Sequence, residues 1–314
     1  MEHAPHTIIV PVDGSRQANA ATHHAGLMAG RLVAHLQLVH VFPGSPREML
    51  ERVANRGERL AVSYMNREQF DALRAESAER AFSAARKALP PESPRHEELI
   101  VPGEPAPGLI AHARLTESPL IIMGRRGLGT IRELLLGSVS ERVVHYADCP
   151  VTVLAGDRHV GLPSVLVVPV DGSSHAGRAA GHAAELATAT GAKIKLVHVH
   201  PKRSAEIPGV GAGIAGLSGV AADVEKRLAE MGSTASRIAF ESARAAMPER
   251  LAGKLEEVSS SGNVDEAILR AAAEEPGSAI VMGRRGLGRM RELMLGSISQ
   301  RVLHHAECPV TVVS

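Results

Sequence analysis

At 314 residues, with 44% apolar and 22% charged residues, the chain has the balance of a globular protein and room for two domains, each with its own core. A formal net charge of +1, an aromatic content of 2% and the lack of Trp argue against a nucleic-acid partner, which needs a basic footprint and stacking platforms. Two Cys exclude a disulfide framework, the start MEHAPHTIIVPV lacks the design of a signal peptide, and no apolar run reaches the roughly 20 residues of a membrane helix, so the expectation is a soluble cytoplasmic protein without a membrane partner.

The chain reads as two near-equal copies of one pattern. Ile8–Val12 is a short apolar run that predicts a buried strand. Asp13-Gly14-Ser15 then turns into a helix, with Ser15 as N-cap and Ala18, Thr22, Ala25 and Ala29 on one small-residue face. A second strand lies in HLQLVHV (35–41). A variable segment follows, polar at first and then helical from about Arg67 to Leu89, stopped by Pro90-Pro91. Glu97–Val101 is the third strand, a helix starts near Pro105, and Leu120–Met123 is the fourth strand. A glycine loop, a further helix and a last strand at Val151–Leu154 complete the copy.

The second copy repeats this order. VLVVPVDG (165–172) matches TIIVPVDG (7–14), KIKLVHV (193–199) matches the second strand, and Ala176, Ala180, Ala183 and Ala187 form the small-residue helix face. Its variable segment, Pro201–Pro248, begins with a loose Gly-rich run, PGVGAGIAGLSG, into which no strand feeds directly, so it reads as a loop and not as a phosphate site. Lys254–Ser259, Ala279–Met282 and Val310–Val313 are its later strands, with a helix from about Val264. The expected domains are 1–156 and 163–314, joined by the short polar stretch AGDRHVGLP (155–163). Strands alternating with helices predict a parallel, doubly wound α/β sheet in each copy. Ligands of such sheets bind beyond the carboxyl ends of the strands where the strand order reverses. Asp13 and Gly124, far apart in sequence, are therefore candidates for one site, and Asp171 and Gly283 for its equivalent.

The strongest internal match is MGRRGLGTIRELLLGSVSERVVHYADCPVTV (123–153) against MGRRGLGRMRELMLGSISQRVLHHAECPVTV (282–312), identical at 23 of 31 positions without gaps. Each carries Gly-x2-Gly-x9-Gly-Ser: Gly124, Gly127, Gly137 and Ser138, then Gly283, Gly286, Gly296 and Ser297. Glycines let a backbone approach a ligand closely, and a helix start offers free N–H groups to an anion, so the pattern predicts a nucleotide-phosphate cradle present twice. The bland alternative is turn punctuation after strands. No P-loop motif is present, and the first strands end in Asp-Gly-Ser and not in a dinucleotide fingerprint, which argues against a P-loop NTPase and a dehydrogenase. Asp13 and Asp171 could accept hydrogen bonds from a base or ribose, or merely cap a turn. Val41 and Val199 could wall a base, or be ordinary core. Arg125, Arg126, Arg284 and Arg285 could screen phosphate charge or simply be solvated. His40 and His198 read as structural, and Cys149 and Cys308 as small buried apolar residues. No catalytic residues and no structural metal site stand out, although Mg²⁺ or Mn²⁺ could accompany a nucleotide.

Val-Pro-Val-Asp-Gly-Ser, Leu-Val-His-Val, the glycine pattern and the closing Cys-Pro-Val-Thr-Val together resemble the universal stress protein family, in its ATP-binding branch, over nearly the whole chain. The resemblance implies two tandem Rossmann-like domains, each a five-stranded parallel sheet with helices on both faces. It implies pairing about a pseudo-twofold axis through the last strands, as an intramolecular pseudo-dimer that could itself form a homodimer. Base and ribose contacts would fall on Pro11, Val12, Asp13, Val41 and Met123, and phosphate contacts on Gly124, Arg125, Gly127, Gly137, Ser138, Val139 and Ser140. The second site would use Pro169, Val170, Asp171, Val199, Met282, Gly283, Arg284, Gly286, Gly296, Ser297, Ile298 and Ser299. The expected function is an ATP-binding, stress-linked nucleotide sensor or regulator acting on an unknown protein partner. The rivals are a slow ATPase or nucleotidyl transferase, and an interaction scaffold whose nucleotide is structural.

Overall fold

The computed structural model describes residues 6–52, 62–63, 65–127, 136–156, 161–200, 218–286 and 295–314. The chain forms two compact units, Met1–Leu162 and Pro163–Ser314. Most of the Gly-rich run at 208–219, the middle of the joining stretch and residues 128–135 and 287–294 of the repeated segments lie outside the described residues.

The first unit runs β1 (Thr7–Pro11), α1 (Arg16–Leu32), β2 (His35–Phe42), α2 (Pro46–Arg52), α3 (Arg67–Ala88), β3 (His96–Pro102), α4 (Pro105–Arg114), β4 (Pro119–Gly124), α5 (Ser138–Tyr146) and β5 (Val151–Leu154). Its strands lie in the order β3-β2-β1-β4-β5, all parallel. The second unit runs β6 (Val165–Pro169), α6 (Ser174–Thr190), β7 (Lys193–His200), α7 (Ser218–Ala245), a 3₁₀ turn at Glu249–Lys254, β8 (Leu255–Ser261), α8 (Val264–Ala273), β9 (Ser278–Gly283), α9 (Ser297–His305) and β10 (Val310–Val313). Its order is β8-β7-β6-β9-β10, again parallel. The register repeats as well: Thr7 faces His35 and Pro119, and Val165 faces Lys193 and Ser278.

The parallel sheets explain the apolar runs. A parallel strand covered on both faces has no side for water, so it reads as a near-continuous apolar run. Ile8, Ile9 and Val10 are fully buried, as are Leu166, Val167 and Val168. The small-residue faces of α1 and α6 let these helices sit close to the sheet: Ala21, Ala25 and Ala29, and Ala180, Ala183 and Ala187, are inaccessible to solvent. Both helices start on a serine cap, Ser15 accepting from the Ala18 amide and Ser173 from the Ala176 amide. The short α2, in the stretch read from the sequence only as polar, is built by local capping: the Gly44 amide donates to Glu48 at 2.7 Å and the Glu48 amide to Ser45 at 3.2 Å.

In each unit the first strand lies between the second and the fourth, so the chain winds away from it in both directions. That reversal opens a crevice beyond the carboxyl ends of β1 and β4, and of β6 and β9.

Candidate functional site

Each crevice is assembled from three backbone features. The first is the turn after the first strand. The Val12 amide donates to the Val39 carbonyl at 2.9 Å, which extends the strand edge to Asp13. Gly14 then takes a positive φ of 82°, and the Ser15 amide donates to Asp13 Oδ1 at 2.9 Å. One carboxylate oxygen is thereby fixed in the turn and the other is directed at the glycine loop. In the second copy Gly172 has the same φ of 82° and the Ser173 amide donates to Asp171 Oδ1 at 2.9 Å.

The second feature is the glycine loop after the fourth strand. A Cβ on Gly127 would lie 2.1 Å from Asp13 Oδ2, and one on Gly286 would lie 2.3 Å from Asp171 Oδ2. A side chain at either glycine would push the aspartate carboxylate aside. The structure therefore brings together the two parts of the crevice that are more than a hundred residues apart in sequence.

The third feature is the start of α5 and of α9. The Arg125 amide donates to Leu154, and the Arg125 carbonyl accepts from the Gly137 amide at 2.9 Å and from the Ser140 hydroxyl at 2.6 Å. The Arg284 carbonyl likewise accepts from Gly296 at 2.9 Å and from Ser299 Oγ at 3.1 Å. These bonds fasten the ends of the loop to each other and aim the helix start at the crevice. Neither Gly137 nor Gly296 offers a side-chain cap. The amides of Ser138, Val139 and Ser140, and of Ser297, Ile298 and Ser299, thus have no intrahelical partner, and they carry the positive end of the helix dipole.

The resulting clefts measure about 160 Å³ in the first copy and about 310 Å³ in the second. Of the residues expected at the first site, Pro11, Val12, Asp13, Val41, Met123, Gly124, Gly127, Val139 and Ser140 line the cleft, joined by Ala18, Val39, His40, Pro105 and Arg126. Arg125, Gly137 and Ser138 do not line it. At the second site Pro169, Val170, Asp171, Val199, Met282, Gly283, Gly286, Gly296, Ser297, Ile298 and Ser299 line the cleft, joined by Ala176, Val197, Val264, Ile268, Arg285 and Leu295. Arg284 does not. The arginine pair divides the same way in both copies. Arg125 and Arg284 are only 5% and 8% exposed, and it is Arg126 and Arg285 that face the cleft. The reason is the loop closure: the carbonyl of the first arginine is held by the helix start, which turns the next residue outward to the opening.

His40 owes its orientation to the same turn. Its Nδ1 lies 2.9 Å from the Val12 carbonyl and its Nε2 3.0 Å from Ser77 Oγ. A carbonyl can only accept, so Nδ1 donates to it, while Nε2 pairs with the serine hydroxyl. His198 Nδ1 lies 2.7 Å from the Val170 carbonyl in the second copy. Cys149 is buried and Cys308 half-buried. Among the described residues no group of three or more His, Cys, Asp or Glu could hold a metal ion, and no helix is long and apolar enough to cross a membrane.

Chemically, each cleft offers an apolar floor (Val12, Val41 and Met123 in the first copy), one carboxylate at its edge, and a cluster of amides with an arginine at its mouth. That combination suits a ligand with a flat, partly apolar end and an anionic end. Among known proteins, the universal stress protein family profile matches residues 5–155 and again residues 164–314. A universal stress protein of Mycolicibacterium smegmatis is 28% identical over 98% of this chain and 96% of its own length. A shorter relative from Thermus aquaticus, the universal stress protein in the QAH/OAS sulfhydrylase 3′ region, is 36% identical over 47% of this chain and 97% of its own. The crystal structure of a universal stress protein from Archaeoglobus fulgidus shares the fold with a TM-score of 0.60 at 22% identity, covering 98% of both chains.

Proposed function

The chain belongs to the universal stress protein family, as two tandem copies of its domain, and from that premise we propose that each copy binds ATP in its cleft and that the protein serves as a cytoplasmic nucleotide sensor or regulator in the stress response. The observation that carries this reading is the contact between Asp13 and Gly127, and between Asp171 and Gly286, beside an uncapped helix start. The adenine packs against Val12, Val41 and Met123, or Val170, Val199 and Met282. The carboxylate of Asp13 or Asp171, at the edge of the cleft, accepts hydrogen bonds from the ribose or base. The phosphates lie over Gly127 or Gly286, where a side chain would block them, and receive the amides of residues 138–140 or 297–299. Arg126 and Arg285 add charge at the mouth. Mg²⁺ or Mn²⁺ would arrive on the phosphates and screen their charge. No residue is assigned a bond-breaking role.

The test is direct. Freshly purified protein is denatured and the released small molecules are identified by mass spectrometry, and ligand-free protein is titrated with ATP by calorimetry. Adenine nucleotide in the first experiment, or saturable binding with two sites per chain in the second, is the expected outcome. No released nucleotide and no binding at millimolar ATP would refute the reading.

A further inference from the structure

The two copies differ at one position that touches both loops. Two residues past the cap of the first helix stands Gln17 in α1 and His175 in α6. Both pack against the end of the fourth strand: a Cβ on Gly124 would lie 2.8 Å from the Gln17 Cβ, and one on Gly283 would lie 2.8 Å from the His175 Cβ. Their side chains do different things. Gln17 Oε1 accepts a hydrogen bond from the Arg126 amide at 2.7 Å, which ties the cleft-facing arginine of the first loop to α1. The His175 imidazole makes no hydrogen bond among the described residues. Instead it stands in a cationic setting, with Arg178 from its own helix, Arg284 and Arg285 from the loop after β9, and Asp171 from the turn after β6. The tethered loop borders the cleft of about 160 Å³, and the loop beside His175 borders the cleft of about 310 Å³.

We propose that this position makes the two clefts inequivalent: Gln17 anchors the start of the first glycine loop at the Arg126 amide, whereas His175 couples the affinity of the second cleft for a nucleoside polyphosphate to pH. The inference rests on the nucleotide-binding reading and adds a regulatory residue to it. His175 is a positioning residue: it acts through the field of the loop and its arginines, and not by touching the ligand.

Burial first, and then the neighbouring arginines, hold the imidazole below its usual range, with Asp171 opposing them. It is therefore neutral at pH 7. A polyphosphate entering the cleft offsets the charge of Arg284 and Arg285, and the protonated imidazole then costs less. A ligand that favours the protonated form must bind more tightly where that form is populated, so affinity rises as pH falls through the titration of His175. For a half-exposed group the expected gain is roughly threefold to fivefold.

The experiment titrates Mg-ATP into the full chain between pH 7.5 and 5.5. The γ-phosphate itself titrates in this range, so the quantity read is the difference between clefts. In a Gly127→Val background only the second cleft binds, and its affinity should rise toward acid by that factor more than the first cleft's does in a Gly286→Val background. Adding His175→Gln should abolish the excess, and adding Gln17→His to the Gly286→Val protein should create one. Should the valine variants fold poorly, wild type, His175→Gln and Gln17→His are compared directly, with two distinguishable classes of site expected to diverge in acid for wild type alone. Identical pH profiles for both clefts, or a profile unmoved by His175→Gln, overturn this inference and leave nucleotide binding intact. No ATP binding to wild type at pH 7.5 overturns both.

Discussion

Glycine means two different things within four residues of the same loop. At Gly124 a Cβ would meet the Gln17 backbone carbon and oxygen at 2.9 Å, and at Gly283 it would meet those of His175 at 2.8 and 2.9 Å. Backbone in the first turn of a packed helix cannot step aside, so the helix itself must shift. At Gly127 and Gly286 the obstacle is the tip of an aspartate side chain, which can swing away. The two substitutions should therefore separate stability from function. Gly124→Ala is expected to cost about 1–3 kcal/mol, the usual penalty of overpacking, in urea unfolding. Gly127→Ala should cost under about 1 kcal/mol, yet displace the Asp13 carboxylate from the cleft. Losing a hydrogen bond to a charged group should weaken ATP binding at that site by about tenfold. A Gly127→Ala protein that binds ATP like wild type would show that Asp13 has no part in the site.

At the scale of elements, the copies provide a controlled comparison of helix endings. Both α1 and α6 end with a residue in the left-handed conformation whose amide donates to the carbonyl four residues back: Val33 at φ 54°, and Gly191 at φ 82°. A β-branched residue there is unusual, because its Cβ crowds the backbone by about 1–2 kcal/mol. Val33 is also 91% exposed, so its side chain gains nothing from packing. Val33→Gly should raise stability, by about 0.5–1 kcal/mol once glycine's greater freedom in the unfolded chain is counted, and Gly191→Val should lower it by a similar amount. Chemical unfolding of the two variants checks both signs. The same comparison shows what was legible in the sequence. The buried inner strands leave near-continuous apolar runs and could be read from them, whereas the edge strands β3 and β8, HEELIVP and LEEVSSS, are half-exposed and could be read only from their place in the repeated order. The short α2 could not be read, because its signal is a pair of local caps at Ser45 and Glu48 and not an apolar period. The glycine pattern pointed to the crevice, but not to which arginine of each pair faces it, since that depends on the Arg125 carbonyl being held by Gly137 and Ser140. Gln17 and His175 carry no motif at all. They matter only because α1 and α6 press against the loop, which is a fact of packing.

For the whole molecule, the consequential feature is that the described lining of each cleft comes from one unit. The described residues lining the first lie between Pro11 and Ser140, inside Met1–Leu162, and those lining the second lie between Pro169 and Ser299, inside Pro163–Ser314. Each unit also carries its own five strands, its own reversal of strand order and its own buried core. A domain of this size buries enough surface to fold by itself. Residues 1–162 and 163–314, produced separately, should therefore each unfold cooperatively and each bind one ATP, with an affinity close to that of the same cleft in the full chain. Circular dichroism establishes the first point and calorimetry the second. A half that folds but does not bind would show that its cleft is completed by the other copy, and the tandem arrangement would then be a requirement for the site. Retained binding by both halves would instead place the reason for the duplication elsewhere, in what two unequal clefts on one chain can report together.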